Sequence, residues 1–150
     1  MIKLPNILVV DDTPENLHLI EAYINKLEVN LITAASGKEA LTKSSNVELA
    51  LAILDVRMPV MNGYQLATKL NEERTVDKVP IIFLTASNFN ELDLFKGYGA
   101  GAVDYMFKPI NSEILVSKIN VFLDIFRQKQ KTLFQKTKLQ YFKFWPIRWP

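Results

Sequence analysis

Three carboxylates and an amine stand where apolar runs of this chain stop. Asp11 and Asp12 follow Ile7-Leu8-Val9-Val10, Asp55 follows the run 49–54, and Lys108 follows the run 102–107. A further run, 81–84, stops at Thr85. Short apolar runs alternating with helix-like stretches read as parallel strands buried on both faces. In an open sheet of that kind, ligands bind beyond the carboxyl ends of the strands. Acids, a hydroxyl and an amine therefore arrive at one edge of one sheet. Clustered hard oxygens suit a divalent cation. Cation, amine and hydroxyl together suit a phosphoryl group.

The elements that must position these groups alternate strand and helix about five times. The first strand is 6–10, and Pro14 suits the opening of a helix because the first helical N–H has no intrahelical partner to lose. Leu17, Ile20, Ala22, Ile24 and Leu27 supply the apolar side of that helix. A strand at 29–34 leads to Ser36-Gly37-Lys38-Glu39, a capping pattern that starts the next helix. The third strand is 49–54, Asn62-Gly63 begins the third helix, and Pro80 precedes the fourth strand. A fourth helix is predicted at 88–98. Gly97, Gly99 and Gly101 crowd the turn into the fifth strand, where positive φ or close packing is expected. Asn111-Ser112-Glu113 opens a last helix reaching about residue 140. Five such repeats with short links make a doubly wound α/β sheet with helices on both faces.

Length and composition agree with this. The 150 residues suit one domain with a true core and an appendage, and 49% of them are hydrophobic. There is no cysteine, which excludes a disulfide framework, a thiolate metal site and a thiol nucleophile. No signal peptide is evident and no apolar stretch approaches the roughly 20 residues that span a bilayer, so a cytoplasmic protein is expected. Residues 1–126 hold 11 basic and 16 acidic residues, a net of −5, whereas residues 127–150 hold seven basic residues and no acid. His18 is the only histidine, so no imidazole pair exists for a metal.

At Val9-Val10-Asp11-Asp12, Leu54-Asp55-Val56-Arg57-Met58-Pro59, Asn62-Gly63, Leu84-Thr85-Ala86 and Gly101-Ala102-Val103-Asp104-Tyr105-Met106-Phe107-Lys108-Pro109, the chain resembles the receiver domain of bacterial two-component response regulators. The resemblance covers about residues 5–125. It implies a flavodoxin-like five-stranded parallel sheet in the order 2-1-3-4-5. It also implies that Asp55 is the phosphoacceptor, charged from a phosphohistidine on a sensor histidine kinase or phosphotransfer protein. The implied cofactor is Mg²⁺, held by Asp12 and Asp55, by Asp11 directly or through water, and by the backbone carbonyl of Arg57.

In the same resemblance Lys108 pairs with Asp55 and then with the phosphoryl oxygens, and its bond to Pro109 is cis. The Thr85 hydroxyl and the Ala86 N–H hold a phosphoryl oxygen. Thr85 and Tyr105 form the switch, which alters the face made by the 88–98 helix, the fifth strand and the last helix for an unknown downstream protein. Arg57 and Ser87 occupy the positions that tune dephosphorylation. Clustered carboxylates without a cation repel and raise a pKa.

Two other readings of these residues exist. An aspartyl-phosphate hydrolase needs an acid two residues past its nucleophile, where this chain has Arg57. A scaffold or dimerisation module would leave the acid site unused, and Asp12 would then be only a helix cap. The chain is accordingly read as a phosphoacceptor regulator rather than an enzyme.

The receiver is assigned to 1–126 and a basic, aromatic extension to 127–150. Leu115, Ile119, Phe122 and Phe126 form the stripe of a helix docked on the sheet. Lys129 and Lys136 then take places that a coiled-coil seam would fill with apolar residues, so the continuation is an exposed signalling helix or a weak homodimer contact. The aromatic, basic end at 141–150 suits an acidic partner, a membrane surface or single-stranded nucleic acid, or is a disordered end. Nothing resembles a helix-turn-helix, and no specific DNA binding is predicted.

Overall fold

The computed structural model describes residues 3–72, 74, 78–86, 99 and 102–144. Five strands, β1 (Asn6–Val10), β2 (Asn30–Ala34), β3 (Leu51–Asp55), β4 (Ile81–Thr85) and β5 (Ala102–Phe107), form one sheet in the order β2-β1-β3-β4-β5. Every pairing is parallel. The helices are α1 (Pro14–Ile24), α2 (Gly37–Ser44), α3 (Gly63–Glu72) and α4 (Ser112–Phe144). The helix predicted at 88–98, and with it Ser87, Gly97, Gly101 and the last six residues, lies outside the described residues.

Strand side chains alternate between two faces, and both are covered. Leu8, Val10, Ala52, Leu54, Ile81 and Phe83 face α2 and α3 through Ala40, Leu66, Ala67 and Leu70. Ile7, Val9, Leu51, Ile53, Ile82 and Leu84 face α1 and α4 through Ile20, Ile24, Leu115, Ile119 and Leu123. Full burial of one such aliphatic side chain is worth about 1.5–3 kcal/mol, which explains why the runs are continuous rather than alternating in polarity.

Local chemistry sets the helix starts. Pro14 occupies the first turn of α1, and Ser36 caps α2 by accepting the Glu39 N–H at 3.1 Å. Asn62 and Gln65 cap α3 reciprocally: each side-chain oxygen accepts the other residue's N–H at 2.9 Å. The Asn111 side-chain oxygen accepts the Ile114 N–H at the start of α4.

Several expectations shift. Ala22 is exposed because it falls opposite Ile20 and Ile24 on a 3.6-residue turn, and Tyr23 packs at the core margin instead. The third strand begins at Leu51, since Leu49 precedes the ladder and the Ala50 N–H joins it through the Asn6 carbonyl. A Cβ on Gly99 would meet nothing within 4 Å, and its φ lies outside the left-handed region that favours glycine, so neither expected reason for glycine operates there. The apolar stripe of α4 passes through Leu123, fully in the core, ahead of the half-buried Phe126. Helix α4 continues past 126 and past 140 without a break. Its 33 residues make a rod of about 50 Å at 1.5 Å per residue.

Candidate functional site

Backbone ladder bonds run past the strand ends and fix the edge residues. The Asp11 N–H donates to the Ala34 carbonyl at 3.2 Å, the Val56 N–H to Leu84 at 3.0 Å, and the Lys108 N–H to Thr85 at 2.8 Å. Gly63 is forced by the same crowding, because a Cβ there would lie 2.3 Å from the Asp55 carbonyl oxygen. Helix α3 can start against Asp55 only with glycine at that place. Between them, the Pro59 carbonyl accepts the Met61 N–H at 2.7 Å across Val60, whose φ is +69°. That is the strained left-handed γ-turn, rare for a β-branched residue.

On this frame Asp11, Asp12 and Asp55 each offer an oxygen, and these oxygens lie within 4.8 Å of one another. Asp11 is 0% exposed and Asp55 4%, whereas Asp12 faces solvent. The Lys108 Nζ stands between the buried pair, 3.2 Å from Asp11 Oδ2 and 3.3 Å from Asp55 Oδ1. The expected partner was Asp55 alone; Asp11 is the second. The Lys108-Pro109 bond is cis. Asp55 Oδ1 also accepts the Arg57 N–H at 3.3 Å, while the Arg57 side chain points to solvent.

The electrostatics follow from this crowding. Burial first, and the Asp11 charge second, push the Asp55 carboxyl up to about 6, against the pull of Lys108 and the Arg57 N–H. For Lys108, burial acts downward, but the Asp11 and Asp55 carboxylates outweigh it and hold the ammonium above its ordinary value. Two buried acids with one amine leave net negative charge at the edge, and solvent-facing Asp12 adds to it. Such oxygen donors, without histidine or cysteine, match the ligand preference of Mg²⁺. Asp12 makes no hydrogen bond or ion pair among the described residues, and the α1 cap position, Thr13, makes no side-chain cap bond. Asp12 therefore does not act as a helix cap.

Thr85 closes β4 at 6% exposure and is tied to Lys108 through its own carbonyl, and the next residue, Ala86, is exposed. Tyr105 is half-buried on β5 opposite Phe83, with ring centroids 5.7 Å apart. Tyr64 meets Phe83 edge-on at 4.8 Å. His18 is exposed on α1. At the amino ends of β3 and β4, a cavity of about 80 Å³ lined by Leu49, Pro80, Phe122 and Phe126 lies remote from the acids.

Two participants escaped the sequence reading. The Asn16 side-chain amide donates to Asp11 Oδ2 at 3.1 Å, and the Thr13 N–H donates to Asp11 Oδ1 at 2.9 Å. Only an asparagine one turn into a helix that opens beside an acid could have signalled the first, and that pattern is common in ordinary capping.

Comparison with known proteins points the same way. Residues 7–120 match the response regulator receiver domain family. A probable cyclic di-GMP phosphodiesterase of Vibrio cholerae is 34% identical over 134 residues, covering 89% of this chain and 30% of that protein. The chain spans between about a third and a half of the curated relatives it matches. Among solved structures, chemotaxis protein CheY4 of Vibrio cholerae superposes with a TM-score of 0.74 at 26% identity, over 80% of this chain and 99% of that one. A CheY-like receiver domain protein from Methanospirillum hungatei reaches 0.76 at 28% identity, over 85% and 99%. The family match runs from the first strand into the last helix and takes in every acid at the carboxyl edge, so the chain belongs to the response regulator receiver domains of two-component systems.

Proposed function

We propose that the chain is a phosphorylation-controlled receiver that accepts a phosphoryl group on Asp55 from a phosphohistidine of a sensor histidine kinase or phosphotransfer protein. The observation that carries this reading is the Lys108 ammonium lodged between Asp11 and Asp55 beside the free carboxylate of Asp12. An Asp55 oxygen attacks phosphorus, the phosphorus–nitrogen bond breaks, and its electron pair returns to the imidazole, which takes a proton. With a carboxyl near 6, Asp55 is mostly ionised at pH 7 and needs no general base. Asp12, Asp55 and the Arg57 carbonyl would hold Mg²⁺, with Asp11 alongside. Mg²⁺ supplies the charge neutralisation that two approaching anions require.

Lys108 then follows the new charge, and Thr85 and Ala86 donate to a phosphoryl oxygen. Thr85 moving inward gives Tyr105 room to turn, which alters the face that a downstream protein reads. Residues 1–126 act as the receiver and 127–150 as the extension that passes the state on. The phosphodiesterase named among the relatives shares only 30% of its length with this chain, so its name is not carried over; the chain acts as a regulator. No described helix is long and apolar enough to cross a membrane, in keeping with work in the cytoplasm.

Acetyl phosphate tests this reading. Incubation with Mg²⁺ is expected to add the mass of one phosphoryl group, and chelation or Asp55→Ala to remove the gain. Labelling that persists in Asp55→Ala contradicts it.

A further inference from the structure

Asn16 lies in the first turn of α1, outside the acid-and-amine set, yet its amide reaches the most buried carboxylate of the edge. Asp11 Oδ2 receives Asn16 Nδ2 at 3.1 Å and Lys108 Nζ at 3.2 Å, and Oδ1 receives the Thr13 N–H at 2.9 Å. We propose that Asn16 is a positioning residue that keeps Asp11 aimed at the divalent cation when Lys108 leaves for the phosphoryl group. This rests on the phosphoryl-transfer reading above.

Lys108 is a point charge on a flexible stem, and once a cation and a phosphoryl group arrive it has a better partner than Asp11. Asp11 is 0% exposed, so bulk water does not replace a departing donor. A carboxylate offers about four acceptor positions, and three are filled here. After Lys108 departs, the Thr13 N–H and the Asn16 amide still hold one oxygen each, and the freed positions face the cation or its water. A neutral amide suits this task because it does not repel a divalent ion. Its base is firm as well: α1 is anchored under the sheet by fully buried Ile20 and Ile24. Partners of this kind, one step behind the metal ligands, change metal affinity by about 10- to 100-fold when removed.

The test is Mg²⁺ titration calorimetry on the full chain, with acetyl phosphate labelling as a second readout. Asn16→Ala is expected to weaken Mg²⁺ binding about tenfold. Labelling should slow at limiting Mg²⁺ and recover at saturating Mg²⁺. In an Asp11→Ala background the same substitution should cause no further loss, because the two act as one unit. Asn16→Ser, which retracts the donor and retains a polar side chain in the first turn, should reproduce the loss if the alanine variant folds poorly. Mg²⁺ affinity within about twofold of wild type in Asn16→Ala, on the same scale, overturns the assignment. So does an undiminished loss in the Asp11→Ala background. Wild-type protein that neither binds Mg²⁺ nor labels overturns instead the reading on which the assignment rests.

Discussion

Along β3 a single peptide bond separates two opposite environments. Leu51, Ala52, Ile53 and Leu54 are completely buried and apolar, and Asp55, the next residue, is nearly as buried but carries a charge that burial and Asp11 both disfavour. The sheet interior and its carboxyl edge share one hydrogen-bond ladder yet act on stability with opposite sign. The interior supplies the rigidity that prevents Asp11 and Asp55 from relaxing apart. Charges that cannot move away from one another are relieved by a cation. Lys108 provides part of that relief, and a divalent ion provides more.

The contrast can be broken most severely from the interior. Ile53→Ala should cost about 2–5 kcal/mol, because the transfer term and the cavity add; urea denaturation measures it. Gly63→Ala comes next. Its Cβ must displace the Asp55 carbonyl, so a loss of about 1–3 kcal/mol should accompany reduced labelling of Asp55. A stable Gly63→Ala protein with full labelling would show that α3 can start without this close approach.

The edge should respond in the other direction. Asp55→Asn is expected to stabilise the cation-free protein by about 1–2 kcal/mol at pH 7, since it removes a charge that folding disfavours. The pH dependence has a defined sign. Asp55 titrates near about 6 when folded and near about 4 when unfolded. Between these values the folded state binds more protons, so the Asp55 contribution to stability falls as pH rises. The difference between Asp55→Asn and wild type should therefore grow from pH 4 to about 6 and level off above it. A difference that shrinks over this interval would mean that Lys108 outweighs burial. Smallest of all, Val60→Gly should stabilise by about 0.5–1 kcal/mol, as relief of the positive φ exceeds the added chain entropy.

The interior was legible in the sequence because burial on both faces leaves only one pattern, an unbroken apolar run. Asp11, Asp12, Asp55, Thr85 and Lys108 could be placed together for the same reason, since a parallel sheet presents all its carboxyl ends on one side. What escaped depends on angles between elements. The bond from Asn16 to Asp11 depends on how α1 leaves β1, and the second partner of Lys108 on how far its side chain reaches from β5 over the ends of β4 and β3 toward β1. The contact that requires Gly63 depends on the path of the loop after Asp55, which turns through an unfavourable Val60 conformation that composition does not disclose. Along α4 the reading favoured Phe122 and Phe126, but Leu123 is the residue fully in the core, with Phe122 packed at its margin and Phe126 half-buried.

The most direct measurement is the chemical-denaturation midpoint at pH 7 with and without Mg²⁺, in wild type and in Asp12→Ala. An ion bound only by the folded state adds about 2.7 kcal/mol at a hundredfold excess over its dissociation constant. Wild type is expected to gain stability with Mg²⁺ along that curve, and Asp12→Ala to gain little or none. Equal midpoints with and without Mg²⁺ in wild type, or equal gains in both proteins, would contradict the claim that the carboxyl edge is built around a divalent cation.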